Sequence, residues 1–130
     1  MSAPALLRVL LVDDDPFMLD VLEAQLRALG VAAIATAGDG ALALAAYEAA
    51  AAKPDLIVAD LRMPGLDGFE LLNGLAERRY EGGLILLSGQ EDRVLNSAHL
   101  MAQFHQLQVL AALAKPVDAQ ALARAVARLA

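Results

Sequence analysis

Four apolar runs in this chain stop at a polar residue: Leu6–Val12 at Asp13-Asp14, Leu56–Ala59 at Asp60, Leu84–Leu87 at Ser88, and Gln108–Leu113 shortly before Lys115-Pro116. Three carboxylates brought close together repel one another. A pair of unit charges ~4 Å apart costs on the order of 4 kcal/mol at an effective dielectric near 20. Such a cluster either keeps a proton or binds a hard divalent cation through oxygen. Mg2+ accepts a few carboxylates and keeps water sites for a phosphate, which suits a small acidic cup made by Asp13, Asp14 and Asp60. Lys115 offers a point charge to a phosphoryl oxygen. Ser88 offers a hydroxyl, and Gly89 lets a backbone N–H come close. A carboxylate beside a cation and a lysine can attack phosphorus and form an aspartyl phosphate. Asp60 is the candidate nucleophile. It follows four apolar residues directly and precedes a loop marked by Pro64, Gly65 and Gly68, so it has few structural uses.

These residues converge only if the runs are parallel strands sharing one carboxyl edge, where open α/β sheets bind ligands. The pattern predicts that arrangement. After the first strand, Asp15 reads as an N-cap with Pro16 in the first turn; Leu19, Leu22, Leu26 and Leu29 recur at helical spacing, and Gly30 closes the helix. Val31 to Ala37 reads as the second strand. Asp39-Gly40 opens an Ala-rich helix reaching about Ala52, stopped by Lys53-Pro54. Leu56–Ala59 is the third strand, uninterrupted and apolar as if buried on both faces. A helix starts near Gly68 and ends before the Gly82-Gly83 turn, and Leu84–Leu87 is the fourth strand. Glu91 to about Gln106 reads as a helix, Gln108–Leu113 as the fifth strand, and a last helix follows an Asp118 cap, with Leu122, Val126 and Leu129 on one face. Strands alternating with helices predict a single doubly wound α/β domain over 1–130, with its core about 7–129.

The totals narrow the classes. A chain of 130 residues is long enough for one core. Net charge is −6, which argues against binding a nucleic-acid backbone and leaves a cation or a basic protein surface as the complement. No apolar run approaches a membrane span. The opening residues have no charged region leading into an apolar stretch, so no secretory signal is expected. Cysteine is absent, which fits a cytoplasmic setting.

Taken together, Val12-Asp13-Asp14-Asp15-Pro16, Asp60-Leu-Arg-Met-Pro-Gly-Leu-Asp-Gly68, Leu87-Ser-Gly89 and Lys115-Pro116 resemble the receiver domain of two-component response regulators. The resemblance spans roughly Leu7 to Leu129. It implies a flavodoxin-like five-stranded sheet in the order 2-1-3-4-5. Asp60 would take a phosphoryl group from a sensor histidine kinase or histidine phosphotransfer protein and switch an output domain or partner. By the same resemblance Asp14 would ligate Mg2+ directly, Asp13 through water, and Arg62 through its backbone carbonyl. Ser88 would hydrogen-bond the phosphoryl group, Lys115 would pair with it, and the Lys115-Pro116 bond would be cis. A homodimer through the helix at 91–106 and the C-terminal helix is a common arrangement in such domains. The segments Leu87–Leu95 and Val109–Val117 are most similar to receivers attached to EAL-type cyclic-di-GMP phosphodiesterases.

The chain also departs from that family. The switch aromatic expected three residues before the lysine is Ala112 here, so output must pass by another route, such as the 91–106 helix. Arg62 occupies a position that tunes phosphoryl lifetime. Two other classes stay open. One is a metal-dependent phosphohydrolase, whose Asp-x-Asp motif Asp13–Asp15 imitates in part; the other is a pseudo-receiver that only binds a partner. His99 and His105 are six apart, on opposed helix faces, and read as surface histidines rather than a metal pair. Phe17 and Met18, beside the acidic cluster, could meet a partner or pack on the core.

Overall fold

The computed structural model describes residues 4–61, 68–88 and 106–129. A 3-10 turn, Pro4–Leu6, leads into β1 (Arg8–Val12), α1 (Pro16–Ala28), β2 (Ala33–Ala37), α2 (Gly40–Ala49), β3 (Leu56–Asp60), α3 (Gly68–Glu77), β4 (Gly83–Ser88), β5 (Gln108–Ala114) and α4 (Ala119–Ala127). The strands form one parallel sheet ordered β2-β1-β3-β4-β5, as predicted. Residues 91–105 of the predicted fourth helix, with His99 and His105, lie outside the described residues, as do Arg62 and Gly89; Gln106 sits in a turn. No described helix is long and apolar enough to cross a membrane.

Local chemistry sets the boundaries. Asp15, Asp39 and Asp118 each cap a helix by accepting from a backbone N–H of its first turn. Gly30 has φ 99°, and the N–H groups of Gly30 and Val31 return to Arg27 O and Leu26 O. That is a Schellman closure, in which the residue after the glycine belongs to the cap. It explains why β2 starts at Ala33 and not at Val31. Helix α2 stops at Ala49, short of Ala52: Ala50 is extended, and Lys53 Nζ donates to Tyr47 O at 2.6 Å, satisfying a last-turn carbonyl. The first strand begins at Arg8, because Leu6 is taken up by the 3-10 turn.

Every residue of β3 and β4 is buried, as central strands covered on both faces must be. One core layer joins Leu10, Val12, Ile57 and Leu86 to Ala43 and Tyr47 of α2 and Leu71, Leu72 and Leu75 of α3. The other joins Val9, Leu11, Val58 and Ile85 to Leu22 and Leu26 of α1 and Leu122 and Val126 of α4. The β4–β5 register shifts between Leu84 and Ile85, which pair with Val109 and Ala111 and leave Leu110 as a bulge. Arg128, at the end of α4, donates its guanidinium to the Leu110 carbonyl.

Candidate functional site

The sheet carries Asp13, Asp60, Ser88 and Lys115 to its carboxyl edge from four different strands. Asp13 leaves β1 fully buried, anchored by its own N–H to Ala37 O at 3.1 Å. Asp60 ends β3 at 4% exposure, and Ser88 ends β4 at 2%. Lys115 directly follows β5 and precedes a cis bond to Pro116, with its N–H donating to Ser88 O at 2.9 Å.

The ammonium group of Lys115 donates to Asp13 Oδ2 and to Asp60 Oδ2, each at 2.8 Å. Burial would lower its pKa, but these two bonds and the charges behind them outweigh burial and raise it. Lys115 is a fixed cation between two carboxylates. The other oxygen of Asp13 accepts from Asp15 N at 2.9 Å, so both Asp13 oxygens are occupied by protein donors. Asp14 is exposed beside them. One carboxylate oxygen of each of Asp13, Asp14 and Asp60 lies within 4.8 Å of the others. Desolvation, then the charge of Asp13 and more weakly that of Asp60, raises the Asp14 carboxyl.

Ser88 Oγ is buried with no hydrogen-bond partner among the described residues. A buried hydroxyl left that way has a cost that an incoming acceptor oxygen removes. Three convergent carboxylates, a paired ammonium and an orphaned hydroxyl fit a divalent cation together with a phosphoryl group.

The predicted site residues within the described segments are therefore brought together, and Asp15 is a helix cap as read. Two features were not anticipated. One is Lys115 clamping Asp13 as well as Asp60; nothing in either local sequence shows it. The other is the Asp15 N–H bound to Asp13, for which the signal was present: an Asp two residues upstream of an N–H is the pattern of an Asx turn. Ala112 lies half-buried in β5, paired with Leu86. Phe17 is 71% exposed at the start of α1, while Met18 packs against the α1–α4 core layer.

A family model described as the response regulator receiver domain matches residues 9–127. The chain belongs to this family. Over 90 residues it is 42% identical to the transcriptional regulatory protein PrrA of Mycobacterium tuberculosis, which covers 67% of this chain and 37% of that protein. The chain thus spans little more than a third of that regulator. A response regulator from Colwellia psychrerythraea superposes with a TM-score of 0.80 at 30% identity, covering 95% of this chain and 97% of that one. The CheY in a CheX-CheY-BeF3-Mg+2 complex from Borrelia burgdorferi has the same fold, with a TM-score of 0.82 at 23% identity and 98% of each chain covered. The protein is a receiver domain of the two-component type, a signalling domain with the CheY-like sheet order. Receiver domains bind Mg2+ at an acidic pocket and interact with histidine kinases and output domains.

Proposed function

We propose that this receiver is a phosphoacceptor in which Asp60 is the nucleophile, Lys115 and Ser88 attend the phosphoryl oxygens, and Asp13, Asp14, Asp60 and the backbone carbonyl of Arg62 hold one Mg2+. The observation that carries the reading is the Lys115 ammonium hydrogen-bonded to both Asp13 and Asp60 at the carboxyl edge. An Asp60 oxygen forms the new bond to phosphorus as the bond from phosphorus to an imidazole nitrogen of a kinase or phosphotransfer protein breaks, the electron pair leaving with nitrogen. When bound, the cation supplies positive charge against the phosphoryl oxygens. Lys115 is already in place to move from Asp60 Oδ2 to one of those oxygens. Asp14, exposed and charged beside its neighbours, is the more open ligand; Asp13, engaged through both oxygens, is left to act through water.

The new anion gives the Ser88 hydroxyl an acceptor, and that bond draws on the β4 end and the segment after it. With Ala112 in place of an aromatic, the switch runs through that segment to an output domain or partner in the cytoplasm. Water releases the phosphoryl group from Asp60 afterwards. The whole chain, 1–130, acts as this one domain.

The deciding experiment is intact-mass analysis after incubation with Mg2+ and acetyl phosphate. One added phosphoryl group, absent in Asp60→Ala and without Mg2+, supports the reading. Modification elsewhere, or none, sinks it and leaves a partner-binding module. The BeF3 and Mg of the Borrelia complex suggest the parallel test with beryllofluoride, read by NMR.

A further inference from the structure

The two edges of the sheet are unlike. On β5 the bulged Leu110 carbonyl is taken by Arg128. On β2 the Ala37 carbonyl accepts from Asp13, so the backbone groups of Ala33, Ala35 and Ala37 face β1. Strand alternation then turns the N–H and C=O of Ile34 and Thr36 outward. Among the described residues these outward groups have no partner. The strand is Ala-Ile-Ala-Thr-Ala, without a charge, proline or bulge to blunt it.

Helix α2 continues this bare edge. Its Leu44 and Glu48 turn toward α3, against Gly74 and Arg78. Leu42, Ala46 and Ala49 therefore lie on the opposite, edge-facing side. Leu42 is 56% exposed. Between the first half of β2, with Arg8 and Val9 of β1 beside it, and the last turns of α2 is a mainly apolar groove of about 310 Å³, lined also by Ala33, Ile34, Ala46 and Ala50.

We infer that this edge is a self-association surface that pairs with β2 of a second copy, antiparallel, about a two-fold axis at Ala35. The register follows from the outward groups. Ile34 faces Thr36 of the second copy and Thr36 faces its Ile34, which forms four backbone hydrogen bonds, and Ala35 opposes Ala35. Because α2 runs antiparallel to β2, its first turn lies at the carboxyl end of that strand. The two-fold therefore brings Leu42 of each copy over the apolar groove of the other. The arrangement sets knob to hole twice, as an isologous contact requires. Charge agrees as well: Arg27, bound to Ala32 O at one end of the strand, comes alongside Asp39 at the other end of the second copy. In a chain of net charge −6 the pairing strand itself brings no like charges together. The small contact makes a weak, concentration-dependent dimer.

Sedimentation velocity of the whole chain, over a series reaching about 1 mM, tests the inference. A dimer is expected in the wild type. Ala35→Lys and Ala35→Glu each place like charges face to face at the axis, and each is expected to be monomeric. Their equimolar mixture is expected to dimerise, because only this register sets residue 35 against itself. Circular dichroism checks that both variants fold; if either does not, exposed Leu42→Asp decides, with an expected tenfold or greater loss of association. A wild type monomeric throughout overturns the inference. So does a dimer indifferent to these variants, which would use another face, or a folded mixture that stays monomeric.

Discussion

Lys115 and Asp13, 102 residues apart in sequence, meet at 2.8 Å with the Asp13 side chain wholly buried. A carboxylate in that position depends on its partner, and the structure keeps a fixed ammonium there. Removing the ammonium leaves two carboxylates, Asp13 and Asp60, facing each other below the surface. Lys115→Met is expected to cost about 2–3 kcal/mol in urea unfolding, less than a fully buried pair because the lysine side chain keeps 20% of its exposure. The Lys115 pKa is raised in the folded state. Its contribution is therefore complete below the ordinary lysine value of 10.5 and is lost as pH rises through the folded value. Wild type should lose stability in that alkaline window, and Lys115→Met should lose less.

Asp14 has the opposite consequence. Its raised carboxyl means that its favourable contribution is present below pH 3.8 and lost as pH rises, so at neutral pH the ionised group is a net cost. In EDTA, Asp14→Asn should be more stable than wild type at pH 7 by up to about 1 kcal/mol, a limit set by solvent screening of an exposed group. The gap should narrow as pH falls toward 4. Magnesium should stabilise wild type and leave the variant nearly unchanged; thermal melts with and without the cation measure both effects.

Ser88→Ala separates folding from signalling. The hydroxyl it removes is buried without a partner among the described residues, so stability should hold or rise by up to about 1 kcal/mol. The rate of acetyl phosphate labelling should fall about tenfold or more, since a donor to the transferring group is gone. A destabilised variant with unchanged labelling would contradict both expectations.

At the far end of the sheet, Tyr80 OH donates to Gly83 O at 2.9 Å in a buried setting. Burial, helped by the nearby Asp55 charge, pushes this phenol well above its ordinary 10.0. Tyr80→Phe should cost about 1 kcal/mol at neutral pH. Above pH 10 the unfolded phenol ionises first, so wild type should lose more stability there than the variant, in which only the Lys115 contribution is lost. Chemical denaturation at two pH values distinguishes these outcomes.

Much of this was legible in the sequence because it is local. Asp15, Asp39 and Asp118 announce helix starts, Gly30 a helix end, and the apolar runs before Asp60 and Ser88 a buried parallel sheet. Convergence at the carboxyl edge then follows from topology. What was not legible depends on distant partners. Val31 looks like strand, yet its N–H is claimed by Leu26 O. The bulge at Leu110 has no glycine or proline to mark it; its side chain lies over Gly83 and its carbonyl accepts from Arg128, partners distant in sequence. The hydrogen bond from Lys115 to Asp13 needs the whole fold.

The bulge also bears on how far these molecules could assemble. A sheet with two open edges can add copies at both ends and grow into a fibre. Here one edge has a kinked ladder whose displaced carbonyl is already occupied by a guanidinium, so it is a poor template for an incoming strand. Growth from the remaining edge stops after a single addition, because the second copy arrives by the same edge and presents only its own blocked one. Arg128 in this sense is a chain terminator: it caps a polymer before one can begin.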